Sequence, residues 1–207
     1  MKNVKKLSTF TFILLALFSF TQLQAQRVSA TFNLSSFNID EVAVPGTQID
    51  YAGSTSLSAN LRYFTKNKWA YRVGAGVDQL DYTVGDGIDT NYEAVRTDMK
   101  GIFGIEKHFD LGKAIDIYPG VYIPVIVVGD DKLTNNLENI TNGGVRSGLG
   151  VVLGANLKVL KIFRLGVEFD ASYDDFSAGV RQGVSDLSFV PVKGINHKTA
   201  FTVGIAF

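Results

Sequence analysis

The sequence lacks cysteine altogether, and its 207 residues include only two histidines and one tryptophan. The absence of cysteine excludes disulfide bonds, thiolate metal sites, cysteine nucleophiles and lipidation at an N-terminal cysteine. Excess charge is also lacking, because 20 Lys and Arg residues balance 20 Asp and Glu residues. Without a net basic field, nucleic acid and strongly acidic partners are disfavoured. No stretch rich in proline, serine or like charge divides the chain, so we expect a single domain.

The N-terminal residues have the order of segments found in export signals. A basic start, an apolar run and a short cleavage sequence follow one another: Lys2, Lys5 and Lys6, then residues 10–20, then Leu-Gln-Ala ending at Ala25. The apolar run has 11 residues, fewer than the roughly 18 that a spanning helix requires. We therefore predict a signal peptide over residues 1–25, cleaved between Ala25 and Gln26, and a mature domain over residues 26–207.

From residue 28 onward, apolar and polar residues alternate with a period of two. This is the spacing at which a β-strand directs successive side chains to opposite faces. The pattern recurs eight times, at about residues 28–35, 56–63, 69–78, 95–106, 115–125, 148–158, 163–172 and 196–207. These lengths are near the roughly 9–11 residues that a tilted strand needs to cross the hydrocarbon of a bilayer.

The connections between these segments alternate in length. The long ones are predicted over residues 38–52, 81–92, 129–145 and 174–194, and the short ones over residues 65–68, 110–114 and 159–161. Short turns on one side and long loops on the other are typical of outer-membrane barrels. The sequence therefore predicts an all-β fold: an eight-stranded antiparallel up-and-down transmembrane barrel with both termini on the short-turn side.

The contents of the two faces favour a membrane barrel over a soluble one. A soluble barrel of lipocalin type has the same alternation with its apolar face turned inward. Here the polar face combines small residues with charges of both signs, which suits a narrow interior where side chains must fit and pair. The predicted interior polar network comprises Arg62, Arg72, Arg96, Asp98, Lys100, Glu106, Asp116, Lys158, Arg164, Glu168, Asp170 and Lys198. We expect neutralisation of Arg96 or Glu168 to lower barrel stability.

The final strand carries a resemblance to a known family. Residues 197–207 read HKTAFTVGIAF, and Phe201, Val203, Ile205 and Phe207 fall in phase. With the leader and the alternating connections, this ending resembles the small eight-stranded OmpA-like and OmpX-like outer-membrane barrels of Gram-negative bacteria. The resemblance implies that these four residues form a C-terminal assembly signal, and that the barrel insertion machinery and periplasmic chaperones are partners. It also implies location in the outer membrane, in contact with its lipid.

No motif in the sequence is specific enough to predict a catalytic residue, a metal site or a cofactor. His108 lies beside a short turn, on the wrong side for catalysis at the outer surface. His197 begins the last strand near the outer rim, with Ser185, Asp186 and Ser188 in the preceding loop, but its membrane-facing parity favours an interfacial histidine over a catalytic one. Residues 85–91 contain acidic side chains but lack the ligand order of a calcium loop. The glycines of residues 148–154 lie within a strand, where we expect them to relieve crowding or bend the wall. Pro119 and Pro124 predict a bulge or a frayed end.

Three classes of function stay open at this point. We favour a non-enzymatic barrel with a structural or surface-interaction role carried by its long loops, since loops on a rigid scaffold commonly carry function. A narrow channel or a conduit for small molecules is the alternative, although eight strands enclose a space that side chains can fill. A lipid-modifying barrel enzyme is the third.

Overall fold

A computed structural model describes residues 28–41, 48–85, 91–133, 139–140, 145–159, 162–176 and 192–207. The predicted signal peptide and its cleavage site, Ala25 and Gln26, lie outside the described residues and stay predictions. The described strands, in chain order, are β1 Val28–Glu41, β2 Gln48–Phe64, β3 Trp69–Gly85, β4 Asn91–Lys107, β5 Phe109–Leu111, β6 Ile115–Val127, β7 Asp131–Leu133, β8 Asn139–Ile140, β9 Val145–Lys158, β10 Phe163–Phe176 and β11 Val192–Ala206. Across the described ranges, no helix is long and apolar enough to traverse a bilayer.

Eight of the described strands form a closed antiparallel barrel in the order β1, β2, β3, β4, β6, β9, β10, β11. The ring closes because β11 pairs with β1 from Ser29↔Ala206 to Glu41↔Gly194. The backbone N–H of Phe207 donates to the carbonyl of Val28 at 2.8 Å, so the start of β1 and the end of β11 lie together on the short-turn side. The predicted eight-stranded up-and-down barrel is confirmed.

The strands extend further toward the long connections than the alternation predicted. Strands β2, β3 and β4 each have 17 residues, and the short strands β7 and β8 lie inside the predicted loop 129–145. The predicted loop bounds 38–52, 81–92, 129–145 and 174–194 were therefore too wide, since strand residues occupy their edges. The physical reason is that apolar alternation ends where the lipid ends, whereas backbone pairing between strands continues beyond it.

Two of the three predicted short turns lie fully within the described residues. In the turn after β2, the Lys68 N–H donates to the Thr65 carbonyl at 3.1 Å, and Lys68 adopts a φ of 58°. In the turn after β5, Gly112 adopts a φ of 72°, a region that glycine enters without steric cost. Of the third turn, residues 160 and 161 lie outside the described residues.

Of the two alternatives predicted for the prolines of β6, a bulge or a frayed end, the bulge was wrong, because the register does not shift beside them. Pairing of β6 with β4 stops at Glu106↔Gly120, one residue before Pro119. Pairing of β6 with β9 keeps one register but lapses between Tyr122↔Gly150 and Val125↔Ser147, beside Pro124. Each proline therefore lies where a ladder lacks a bond, which accommodates its missing N–H without an inserted residue. The irregularity in register lies in β2, between Tyr51 and Gly53.

The barrel has an apolar outer wall and a polar interior. On β11, Phe201 is 71% exposed and Val203 49%, whereas the intervening Thr202 is 3% exposed. The same alternation continues around the wall, where Leu, Val, Ile and Phe side chains point outward and charged side chains are buried. This orientation is the reverse of a soluble barrel and matches a wall in contact with hydrocarbon.

One part of the interior is apolar, which the alternation did not predict. Ile102, Tyr118, Tyr122 and Val152 form a buried cluster in the lumen. Glycine makes room for these rings, because a Cβ at Gly154 would overlap the Tyr118 ring and a Cβ at Gly150 would overlap the Tyr122 ring. Two glycines of the 148–154 segment therefore relieve crowding against tyrosines of the neighbouring strand β6.

Candidate functional site

Four charged side chains form a closed ring of ion pairs in the lumen, on the short-turn side of the barrel. Arg62 and Arg72 lie on neighbouring strands β2 and β3, whereas Glu106 and Glu168 come from β4 and β10. Both arginines contact both carboxylates, at 2.6 and 2.8 Å from Arg62 and at 3.1 and 2.7 Å from Arg72. None of these side chains is more than 3% exposed. We call this group the charge quartet.

Glu168 connects the quartet to the opposite wall of the barrel. In the closed ring of eight strands, β10 and β3 are four places apart, so Arg72 and Glu168 face each other across the lumen. The same carboxylate accepts hydrogen bonds from the amide of Asn33 at 3.2 Å and the hydroxyl of Tyr118 at 3.0 Å. Side chains of six strands, β1, β2, β3, β4, β6 and β10, thus converge at one level of the lumen and occupy it.

His108 lies below the quartet, toward the short turns. Its Nδ1 is 2.8 Å from Asp116 and its Nε2 is 3.2 Å from Glu106. The ring stacks on Tyr118 with the centroids 4.7 Å apart, and Arg164 approaches Asp116 at 3.6 Å. Both ring nitrogens of this histidine are thus occupied by carboxylates, an arrangement that fixes the ring in place.

A second charged layer lies above the quartet, toward the long connections. Lys198 donates to Asp78 at 2.7 Å, and the hydroxyl of Ser56 also donates to Asp78. Tyr122 donates its hydroxyl to Asp170 at 2.8 Å, and the Nζ of Lys100 lies 5.5 Å from the centre of the Tyr122 ring. These contacts continue the filling of the lumen.

A third layer is centred on Asp98. Its carboxylate contacts Arg96 at 3.1 Å and Arg146 at 3.1 Å. It also accepts a hydrogen bond at 2.9 Å from the backbone N–H of Gly129, two residues after the end of β6. The Asp98 carboxylate therefore links the upper lumen to the start of a long connection.

Eleven of the twelve residues of the predicted polar network lie in or at the edge of these layers: Arg62, Arg72, Arg96, Asp98, Lys100, Glu106, Asp116, Arg164, Glu168, Asp170 and Lys198. Lys158 is the departure. Its side chain is 27% exposed at the short-turn rim and pairs with Asp110 at 2.6 Å, because β9 ends there. The prediction that Lys158 belongs to the interior was wrong for this reason.

Sequence reasoning missed several members of the lumen layers. Asp78 and Tyr118 lie on the inward parity of β3 and β6, and that parity alone could have identified them. Arg146 was missed because it falls directly after the predicted loop 129–145, whereas β9 begins at Val145. His108 gave no signal, because it follows the last residue of β4 and its inward direction depends on the turn.

Asp110 holds together the short-turn rim outside the membrane. It accepts hydrogen bonds from Lys158 at 2.6 Å and from Lys68 at 2.8 Å. These two bonds, that from Lys158 first, lower the pKa of the Asp110 carboxyl to about 2. The bond to Asp110 in turn raises the pKa of Lys68.

The remaining predicted residues lie on the outer wall or in the connections. Phe201, Val203, Ile205 and Phe207 lie on the outward parity of the last strand; their role as an assembly signal stays a prediction. His197 is on the same outward parity. Within the residues that the structure describes, no group of three His, Asp or Glu side chains could hold a metal ion. The acidic segment 85–91 lies mostly outside them.

Comparison with solved structures identifies outer-membrane proteins of the same fold. OprG of Pseudomonas aeruginosa is 14% identical with a TM-score of 0.60, and the match covers 89% of this chain and 97% of OprG. Ail of Yersinia pestis, solved with the heparin analogue sucrose octasulfate, is 10% identical with a TM-score of 0.52 and coverages of 89% and 100%. The outer membrane protease OmpT of Escherichia coli is 9% identical with a TM-score of 0.52 and coverages of 87% and 97%.

The search of protein-family models and the search of curated proteins each gave no match. Identities near 10% show a shared fold and no more. The chain therefore has the closed antiparallel fold of the small outer-membrane β-barrels.

Proposed function

We propose that this chain is a closed, non-enzymatic barrel of the outer membrane whose role is structural or surface-interacting, carried by the end that bears the long connections. The observation that carries this proposal is the filled lumen. Arg72 and Glu168 meet across the full width of the barrel at 2.7 Å, and Tyr118 and Arg62 reach the same carboxylate. A pore at this level would require buried charges to separate, which costs several kcal/mol.

The wall supports location in a membrane. Large apolar side chains cover the outer surface, and aromatic residues such as Tyr63, Trp69, Phe109 and Phe163 gather beside the short turns. Aromatic girdles of this kind lie at the level of the lipid headgroups. The closed ring also leaves no unpaired strand edge, which hydrocarbon would not tolerate.

The length of the strands supports a role for the end with the long connections. A strand needs roughly 9–11 residues to cross the hydrocarbon, and β2, β3 and β4 have 17 each. The additional strand residues lie above the apolar belt. There the outward positions of β3 and β4 change from apolar residues, Val77 and Met99, to acidic ones, Asp81 and Glu93. The barrel therefore raises a rigid sheet above the bilayer, which is a suitable platform for surface contacts.

The charge at this end of the barrel argues against a polyanionic ligand such as the sucrose octasulfate found with Ail. Among the side chains that the structure describes on the outer surface of this end, Asp81, Glu93 and Asp130 are acidic and Lys132 is basic. A polysulfate would be repelled by such a surface. We propose instead a neutral or cationic contact partner there.

Conductance measurements test the proposal against the channel alternative. We expect the purified, folded protein to give no discrete current steps in planar bilayers. The double variant Arg72→Ala with Glu168→Ala removes the two opposing side chains at this level only. Because the layers around Asp78 and Asp98 still fill the lumen above it, we expect no current steps from this variant either. Glu93→Ala, changed at an exposed site, is the control. Steps from the unmodified protein would contradict the proposal and favour the channel.

A further inference from the structure

The outer wall of β2, β3 and β4 carries a depression at mid-height. Ala59, Ala75 and Gly101 are outward neighbours in one row across these strands. The row is closed at its ends by Phe32 on β1 and Val125 on β6.

Larger side chains border this row above and below. Leu57, Val77, Met99 and Val127 project on the side of the long connections, and Phe103 projects on the other. The result is a groove of about 670 Å³ that opens to the membrane and has an almost wholly apolar lining. We call it the wall groove.

Positive charge lies directly below the wall groove on the same strands. Lys66 and Lys68 occupy the β2–β3 turn, and Lys107 ends β4. We call these three residues the basic rim. The Nζ of Lys107 lies 5.1 Å from the centre of the Trp69 ring and donates to the Asn67 carbonyl, which holds the cation at the edge of the aromatic girdle.

The charge at this rim is poorly balanced. Among the described side chains exposed there, Asp110 is acidic, and it already binds Lys68 and Lys158. Lys113 adds a further exposed cation in the next turn. At the opposite end, the exposed side chains that the structure describes are mostly acidic, so within the described part of the chain the basic rim distinguishes the short-turn side.

The distance between the two features matches a lipid. Trp69 and Ala75 are six residues apart on β3, which is about 20 Å along the strand. With a strand tilt of about 40°, this rise corresponds to about 15 Å along the membrane normal. Half of the hydrocarbon core is also about 15 Å thick. A headgroup at the basic rim would therefore place the ends of its acyl chains at the wall groove.

We infer that the outer face of β2, β3 and β4 is a binding site for an anionic phospholipid of the short-turn leaflet, with its phosphate at the basic rim and an acyl chain in the wall groove. The cations select a negative headgroup, because lysine side chains at strand ends reach toward phosphate while their stems stay in the apolar layer. The groove, closed by Phe32 and Val125 and bordered by projecting rows, admits a thin flexible chain better than the convex wall of a second barrel.

The single tryptophan of the chain gives a local measure of headgroup preference. Trp69 lies at the basic rim, so brominated lipids bound there quench its fluorescence. We expect brominated phosphatidylglycerol to compete at least fivefold better than phosphatidylcholine in vesicles of the unmodified protein, since one lysine beside an anionic headgroup contributes about that factor. The double variant Lys66→Gln with Lys107→Gln should lose this preference, whereas Asp110→Asn, which removes the rim's acid, should increase it.

A second readout tests the groove itself. In native mass spectrometry after mild detergent extraction, we expect a species with one retained phosphatidylglycerol. Ala75→Leu fills the groove and should reduce that species several-fold. Ala155→Leu makes the same change on the outward parity of β9, away from the groove, and should retain it.

Three outcomes would overturn the inference. Equal quenching by both lipids would overturn it and would favour an acidic protein segment as the partner of the basic rim. An equal effect of Lys113→Gln and the rim variant would reduce the site to diffuse attraction. Equal loss of the retained lipid in Ala75→Leu and Ala155→Leu would exclude the groove. None of these outcomes bears on conductance, so the proposed closed lumen is tested separately.

Discussion

Arg72 and Glu168 lie on opposite strands of the barrel wall, and their Nη2 and Oε1 atoms are 2.7 Å apart in the centre of the lumen. The pair is 96 residues apart in sequence, so it forms only when both halves of the ring are in place. This buried ion pair links β3 and β10, two strands that do not pair with each other through their backbones. This relationship determines how substitutions in the quartet should behave.

Removal of one charge from the quartet should destabilise the barrel strongly. In Glu168→Gln, the two arginines keep only Glu106 as a carboxylate partner, and an uncompensated buried charge costs about 3–5 kcal/mol. We expect a loss of about 3 kcal/mol in the free energy of unfolding, measured by urea titration of the protein in detergent micelles. Arg96→Gln, which weakens the Asp98 layer, should also lower stability.

A double variant separates charge from packing in this pair. Arg72→Met with Glu168→Met removes both charges, so its loss should be smaller than the sum of the two single losses. Glu93→Gln, at an exposed site, should change little. Additive losses in the double variant would argue that the two residues do not interact.

Gly154→Ala should destabilise the barrel although it adds one methyl group. The new Cβ would overlap the Tyr118 ring, and displacement of that ring would break its hydrogen bond to Glu168. Overpacking of this kind costs about 1–3 kcal/mol, measurable as a lower unfolding midpoint. Gly101→Ala is the matched control, because its Cβ would face outward with the nearest atom 3.7 Å away. Equal midpoints for the two variants would refute the packing argument.

The contribution of Asp110 to stability should depend on pH. Its pKa falls from an unfolded value of about 3.9 to about 2 in the folded rim. The lowered pKa means that the stabilisation is complete above about pH 4 and is lost as the pH falls through about 2. Because Asp110 is 36% exposed, we expect less than about 1 kcal/mol. The unfolding midpoints of the unmodified protein and Asp110→Asn should differ at pH 6 and converge near pH 2.

The absence of native cysteine permits a direct test of orientation. With the long connections outside the cell, Glu93→Cys should react with a membrane-impermeant maleimide on intact cells. Lys113→Cys, in a short turn, should react only after the outer membrane is permeabilised. The reverse pattern would contradict the proposed orientation.

The sequence predicted the wall better than the interior. Alternation such as that of Phe201, Thr202 and Val203 reports the inward and outward parity of each residue, so the strand number and the lipid-facing side followed from it. Interior contacts depend on the tilt of the strands, which decides that Glu168 meets Arg72 of the opposite strand. That tilt leaves no mark in the local sequence. Lys158 shows the limit, since its parity was correct but its height on the wall was not.

The seam between β1 and β11 has a consequence for the order of events in assembly. Its paired residues, such as Ser29 and Ala206, lie near opposite ends of the described chain. One edge of β1, the first strand in the chain, therefore has no backbone hydrogen-bond partner until β11, the last strand, pairs with it. An intermediate with such an unpaired edge and an exposed apolar surface is prone to aggregation. Transfer to the bilayer without aggregation thus requires that another molecule cover the unpaired edge of β1 until the barrel closes.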